Sequence, residues 1–367
     1  MTAPYVVVLG ANGVFGRRTV QSLLRRRGLQ VGAACRTKEQ AVALARAFGG
    51  VIRPLWGDVR RIGDLRACLD GAQAVFHCAG PFDAQPLLPL SYALERGLDY
   101  ADLGDDPAYL KSTERLIDAA APRNRIVVPG ASSLPSMTAM LVQTAHIQWG
   151  AVDRIGIRVF IGNRNPKGRG AITYLIKALR TPFQTMRDGR WVQERTWREQ
   201  SRSASHFDPR VLPFGLVESP DDHFLPRWFG AAEVSFRVSL EFSWIHRVIA
   251  AIGALERVLP RSCDPLWINA LFYGHPAIQA WGSHSGWLEV TTTHGPNPGA
   301  RTVVQRLGAF DEGQRVPSFP MSMIGRILGG EVERPSQTVT RFDQLLSKDQ
   351  FLAALSAEGI DYKAALV

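Results

Sequence analysis

Residues 5–16 read Tyr5-Val6-Val7-Val8-Leu9-Gly10-Ala11-Asn12-Gly13-Val14-Phe15-Gly16. The apolar run before Gly10 has the character of a strand buried on both faces, the state of a strand inside a parallel sheet. A helical pattern follows. Val20, Leu23 and Leu24 form one face, and Arg17, Arg18, Gln21 and Arg25 form the other. Gly28 stops it. Strand, glycine turn and helix are the setting of a dinucleotide fingerprint, here spaced GxxGxxG. In that reading Gly10 permits the tight turn, Gly13 admits a pyrophosphate and Gly16 lets helix and strand pack closely. The helix amino terminus offers free N–H groups and the positive end of its dipole to phosphates. Residues 10–16 are therefore assigned to cofactor binding.

Outward from this unit, strands and helices alternate. Strands are expected at Gln30–Cys35, Val51–Leu55, Ala74–Cys78, Asp99–Leu103 and Arg125–Val128. Helices are expected at Glu39–Phe48, Asp64–Leu69, Gln85–Arg96 and Pro107–Ala120. This is the pattern of an α/β, Rossmann-type doubly wound parallel sheet over residues 1–135. After a loop and helix at Ser132–Trp149 the pattern changes. Arg154–Ile161 alternates as a strand, a helix follows at about 171–179, and the sequence beyond is strand-like and aromatic. Five of nine tryptophans lie between 228 and 287. Residues 136–337 are expected to form an α+β substrate or dimerisation domain, and 338–367 to pack back on the first domain.

Composition excludes several classes. The chain has 367 residues, 46% hydrophobic and 21% charged, enough for two domains with real cores. No apolar stretch is long enough to span a bilayer. The first apolar run lacks a basic leader and is too short for a signal peptide. Cys35, Cys68, Cys78 and Cys263 show no metal or redox spacing and suit reduced thiols in the cytoplasm. Net charge is +10, concentrated in 154–210, which holds thirteen Lys and Arg against four Asp and Glu. That segment reads either as a solvated basic face or as a funnel for an anionic ligand or membrane surface. No nucleic-acid motif is present.

The end of the second strand selects the cofactor. An NAD site places Asp or Glu there for the ribose 2′-hydroxyl. This chain has Arg36, Thr37 and Lys38 instead. Cations suit the 2′-phosphate of NADP(H), and the alternative is a solvated turn. Asp58 and Val59 follow the third strand; Asp58 could touch adenine or cap its own turn. The ends of strands four to six supply Ala79-Gly80-Pro81-Phe82, Gly104 and Ser132, all expected near a nicotinamide. Asp102 and Tyr100 are the titratable candidates for proton transfer, with turn capping and packing as their alternatives. His77, within an apolar strand, reads as a core residue. No tyrosine is followed by Lys at the fourth position, so the short-chain dehydrogenase dyad is absent.

Gly10–Gly16, Ala79–Phe82, Gly97-Leu-Asp-Tyr-Ala-Asp-Leu-Gly104 and Val128-Pro-Gly-Ala-Ser-Ser-Leu-Pro-Ser136 occur in that order. Together they resemble the saccharopine dehydrogenase-like oxidoreductases. Asn163–Leu175 and Arg187–Trp191 are similar to a bacterial branch of that group. The resemblance implies an NADP-type Rossmann domain, a mixed-sheet second domain and a homodimer, but not saccharopine as substrate. The chain departs from the group where Ser136, Met137 and Thr138 follow Pro135 in place of an Asp. Two functions follow from these readings. One is an NADPH-dependent reductase of an imine, carbonyl or activated alkene, acting on a small molecule that the funnel reading of the basic segment makes anionic. The other is a non-catalytic NADP(H)-binding sensor, scaffold or lipid-associated protein with weak affinity for a membrane surface.

Overall fold

The computed structural model describes residues 3–26, 28–120, 123–166, 169–256, 258, 260–295 and 299–367. Lys167 and Gly168 of the stretch compared above lie outside them. The chain divides into two units, residues 1–132 with 317–347, and 133–316 with 348–367.

In the first unit β1 (Tyr5–Leu9) leads through its glycine turn into α1 (Val14–Leu24). Then follow β2 (Gln30–Cys35), α2 (Lys38–Ala47), β3 (Arg53–Trp56), α3 (Ile62–Leu69) and β4 (Ala74–His77). The series closes with α4 (Leu88–Arg96), β5 (Asp99–Asp102), α5 (Pro107–Ala120) and β6 (Val127–Val128). The strands are parallel, in the order β3-β2-β1-β4-β5-β6. Val6 to Leu9 are fully buried, as a strand covered by helices on both faces requires. One core layer joins Val7, Leu9 and Val75 to Leu65, Leu90 and Ile117 from the covering helices. The third strand begins two residues later than expected. Gly49 and Gly50, both at positive φ, still carry the turn there, and pairing starts where Arg53 meets Gly32.

The second unit begins with α6 (Thr138–Trp149), β7 (Val152–Ile161), α7 (Arg169–Arg180) and the hairpin β8 (Pro182–Arg187) and β9 (Arg190–Arg195). It continues through β10 (Gln200–Ser205), β11 (Asp208–Leu216), α8 (Asp221–Phe229), β12 (Glu233–Leu240), α9 (Ser243–Glu256) and α10 (Asp264–Gln279). Then come β13 (Gly286–His294), β14 (Arg301–Ala309), α11 (Arg315–Leu328), α12 (Lys348–Ala357) and β15 (Asp361–Leu366); α11 from Pro317 onward belongs to the first unit. Seven strands form a mixed sheet, β10-β11-β12-β7-β13-β14-β15, in which only β12 and β7 run parallel. Phe160, Phe214 and Trp287 make a small aromatic core on it.

Two expectations need correction. Residues 243–256 and 264–279 are helical, not strand-like: Ile249, Ile252, Gly253 and Glu256 are buried at helical spacing on α9. The tail is shared between the units. Val339 pairs with Ile126 beside β6, whereas β15 adds to β14 in the second unit.

The basic segment is paired in part. Arg154 faces Glu233, Arg158 faces Glu289, Arg180 faces Glu256 and Asp264, and Arg187 faces Glu194 and Glu199. Four of these acids lie outside 154–210, so part of the excess charge counted along the sequence is met in three dimensions, which favours the solvated face for those arginines.

Two neighbouring acids, Asp221 and Asp222, are buried at the start of α8. Thr138 has one hydroxyl proton and two oxygens near it, Pro135 O at 2.9 Å and Asp221 Oδ1 at 3.0 Å. Thr185 stands likewise between Val234 O at 2.8 Å and Asp222 Oδ1 at 2.6 Å. Both threonine hydroxyls are satisfied when each Asp is protonated and donates to its Thr, which donates to the carbonyl. Burial pushes Asp221 well above the carboxylate range and Asp222 up to about 7, from an ordinary 3.8. The folded state thus keeps a proton that the unfolded chain releases. The stability from Asp222 is full below pH 3.8 and is lost as pH rises to about 7. Asp222→Asn places an N–H where that proton sits. Its stability relative to wild type should rise between about pH 4 and 7 and then level off, by at most ~4 kcal/mol. Thermal melts of both proteins across this range test it; a difference independent of pH contradicts it.

Candidate dinucleotide site

A cavity of about 350 Å³ opens at the carboxyl ends of β1 to β4. It lies where the strand order reverses between β1 and β4, the place where open α/β sheets bind ligands. Its floor is the turn after β1. Gly13 N donates to Gly10 O at 3.1 Å, and Arg17 holds the Asn12 carboxamide. Gly10 has φ +73°, and a Cβ there would come within 2.6 Å of the Ala79 backbone. A Cβ on Gly16 would lie 2.2 Å from Gly10 O. Both glycines are therefore demanded by the fold. Gly13 is different. Its φ of −71° suits any residue, and a Cβ would meet nothing nearer than Gly10 O at 3.4 Å. The space over Gly13 belongs to the cavity. No side chain caps α1, so the first amides of the helix remain to be satisfied by a ligand. These features fit a pyrophosphate.

Of the residues expected at the site, Gly10, Asn12, Gly13, Arg36, Asp58, Val59, Ala79, Gly80 and Pro81 line the cavity. Ala11, Val14, Phe15 and Gly16 build the turn and the first turn of α1 around it. Thr37, Lys38, Phe82, Gly104 and Ser132 do not line it. Thr37 caps α2 through Gln40 N at 3.4 Å. The Lys38 ammonium sits 5.4 Å from the Trp56 ring centre, a cation–π contact. Phe82 is buried between His77 and Tyr109, 5.1 Å from each ring centre. Ser132 is half-buried, its N–H donating to Gly130 O.

Sequence reasoning missed Arg60. It lines the cavity and grips Asp58 with two nitrogens, Nε to Oδ1 at 2.9 Å and Nη2 to Oδ2 at 2.7 Å. The pair holds the Asp58 carboxyl well below the usual range. Asp58 thereby behaves as the turn residue of its second reading, also accepting from Arg60 N at 3.0 Å. The signal lay two residues past Asp58, in a turn read only for its acid. Gln40 and Gln85 also line the cavity and carried no motif.

Asp102 and Tyr100, the expected proton donors, take another role. Both are fully enclosed and neither lines the cavity. Asp102 Oδ1 accepts from Gly104 N at 2.9 Å and Gly130 N at 2.8 Å. Its Oδ2 accepts from the Tyr100 and Tyr109 hydroxyls, each at 2.9 Å. All four donors belong to the first unit, so the carboxyl clamps the loops that follow β5 and β6. Burial pushes Asp102 up while the four donors oppose it, and burial pushes both tyrosines far up. Gly104 serves this clamp, since a Cβ there would lie 2.8 Å from the Tyr109 ring. His77 is neutral in the core, its pKa lowered to about 3 by burial. Cys78 reaches the cavity wall with its thiol pushed up to about 12, too high for a thiolate nucleophile.

Residues 10–135 match a family model described as NAD(P)H-binding. No curated protein matches the chain. Among solved structures it is similar to apo saccharopine dehydrogenase (L-Glu forming) of Saccharomyces cerevisiae, with TM-score 0.65 and 12% identity over 99% of this chain and 100% of that one. A DAP dehydrogenase of C. glutamicum, solved with DAP, aligns with TM-score 0.48 and 14% identity over 97% of this chain and 99% of that one. Residues 10–135 thus form an NAD(P)H-binding domain, in a chain with the fold of a saccharopine dehydrogenase.

Proposed function

We propose that this protein is an NADPH-dependent oxidoreductase that reduces an imine, a carbonyl or an activated alkene of a small molecule. The observation that carries the cofactor reading is the β2 end of the cavity. Arg36 stands there exposed, no carboxylate replaces it, and Arg60 faces the same space from the β3 turn. The Arg60 side chain is more than half exposed while it holds Asp58, so its outer side can meet a 2′-phosphate without giving up that pair. Gly13 and the uncapped amides of α1 would hold the pyrophosphate. Ala79, Gly80 and Pro81 would lie along the nicotinamide, where their small size leaves a ring face open. When bound, the cofactor supplies a hydride.

The acid side of the reaction narrows the substrate. Among the described residues lining the cavity, Asp58, Cys35 and Cys78 are the titratable groups other than arginine, and burial pushes the Cys35 thiol up. Asp58 is committed to Arg60, and Cys78 lies beside Thr19 Oγ1 at 3.6 Å. An iminium already carries its proton and needs no strong acid for hydride transfer, so the imine is the preferred substrate class. The same scarcity of proton donors supports the second reading, a binding protein without turnover. The four cysteines are free thiols, as a reducing cytoplasm would keep them, and a homodimer is the assembly that the family resemblance suggests.

Arg36→Ala should lower NADPH affinity roughly tenfold or more and leave NADH affinity nearly unchanged. Gly13→Asp should abolish binding of both while the melting temperature stays within a few degrees, because the fold tolerates a side chain there. Equal affinity of wild type for the two cofactors contradicts the 2′-phosphate assignment. Asp102→Asn leaves one buried donor facing an amide N–H, which should cost roughly 1–3 kcal/mol of stability. Under the clamp assignment, the pH profile of NADPH oxidation by the remaining folded enzyme keeps its shape. A lost acidic limb with an unchanged melting temperature would return Asp102 to the chemistry. NADPH oxidation against a panel of cyclic imines, aldehydes and enoyl thioesters separates the two functional readings. Turnover of none of them, with NADPH bound, favours the non-catalytic protein.

A further inference from the structure

In the second unit α9 and α10 both pack against α7. The contact is close on the α9 side, where a Cβ on Gly253 would come within 3.1 Å of Leu179. Arg180, near the end of α7, joins the two helices by pairing with Glu256 and with Asp264 at 2.7 Å. The opposite faces of α9 and α10 are unusual. On α9, Trp244, Val248 and Leu255 are exposed at helical spacing, and Val258 follows at 79% exposure. On α10, Leu266 and Tyr273 are exposed at 63% and 68%, and Trp281 just beyond at 69%. Scattered exposed apolar residues are ordinary in a folded protein, but two such stripes, on helices that share α7 and Arg180, are not.

The charges around the stripes have one sign. Within 243–281 the only carboxylates are Glu256 and Asp264; both pair with Arg180 and neither is exposed. Arg247 and Arg261 are exposed on the same stretch. Arg169 lies over Phe272 at 5.6 Å and bonds Asn269 Oδ1 at 2.7 Å, and Arg164 bonds Ala280 O at 2.7 Å, so two further exposed guanidiniums flank α10. An apolar face edged by tryptophan, tyrosine and arginine matches the boundary between acyl chains and anionic headgroups. A second copy of the chain matches it less well, because it would bring a second set of arginines to a face with few carboxylates to pair them.

We propose that the α9–α10 face docks this protein on an anionic lipid surface, with Leu266, Tyr273 and Trp281 entering the boundary region and the arginines meeting headgroups. No helix among the described residues is long and apolar enough to cross a membrane, so the contact is peripheral. The site is separate from the dinucleotide cavity and does not depend on its assignment.

The test uses the full chain and two vesicle preparations, phosphatidylcholine alone and phosphatidylcholine with phosphatidylserine. Wild type should sediment with the anionic vesicles at low salt, and its tryptophan emission should shift to the blue. Leu266→Glu with Tyr273→Glu, and Arg247→Glu with Arg261→Glu, should each reduce partitioning roughly tenfold or more. Melting temperature and NADPH affinity should be unchanged in both, since all four side chains point to solvent. Absence of sedimentation with anionic vesicles overturns the proposal, as does sedimentation that the variants leave intact. A wild-type dimer in solution that the Leu266→Glu, Tyr273→Glu variant splits also overturns it, by showing that a second copy covers the face.

Discussion

Three backbone segments meet at Gly10, and the first unit depends on that meeting. The turn after β1 lies against the backbone of Ala79, which follows β4, and the start of α1 lies against Gly10 O through Gly16. A single Cβ at either glycine would collide with main chain, which cannot swing aside as a side chain can. The contact fixes where β1 ends, how α1 leaves it and how near the β4 loop approaches. Those three placements leave the cavity at the carboxyl edge of the sheet, with the first amides of α1 directed into it. Gly13 is the exception that separates fold from function, because nothing in the protein fills the space over it.

The βα alternation was legible because each signal was local. Val6–Leu9, the three glycines and the basic Arg36 turn could be read within a few residues. What was not legible depended on partners distant in sequence. Asp102 was expected to handle a proton, yet its role follows from Gly130 and Tyr109, whose proximity only the fold creates. Lys38 was expected beside a phosphate, yet Trp56 from the next strand engages it. Part of the charge excess of 154–210 is met in the same way, since Glu233, Glu256, Asp264 and Glu289 return from later in the chain. The helices at 243–279 were misread for a different reason. Their aromatic and β-branched residues carry strand propensity, and the helical period of Ile249, Ile252 and Glu256 was the stronger signal.

The buried acids show two uses of one residue type. Asp102 is surrounded by four donors and organises loops around the lone pairs of a carboxyl group. Asp221 and Asp222 have threonines that must also serve carbonyls, so the same group works there as a neutral donor. The number of protons available among the neighbours, rather than burial alone, decides between the two uses. By the same reasoning the dinucleotide cavity is poor in transferable protons, the ground on which an already protonated substrate is proposed for it.

The central claim is that the turn at Gly10–Gly16 and the β2 and β3 ends receive one dinucleotide. Backbone amide hydrogen exchange with and without NADPH tests it most directly. The account predicts added protection at the amides of Gly13, Val14 and Phe15, together with Arg36 and the segment Asp58–Arg60. NADPH binding that leaves those amides unprotected, or protects only segments of the second unit, would contradict it.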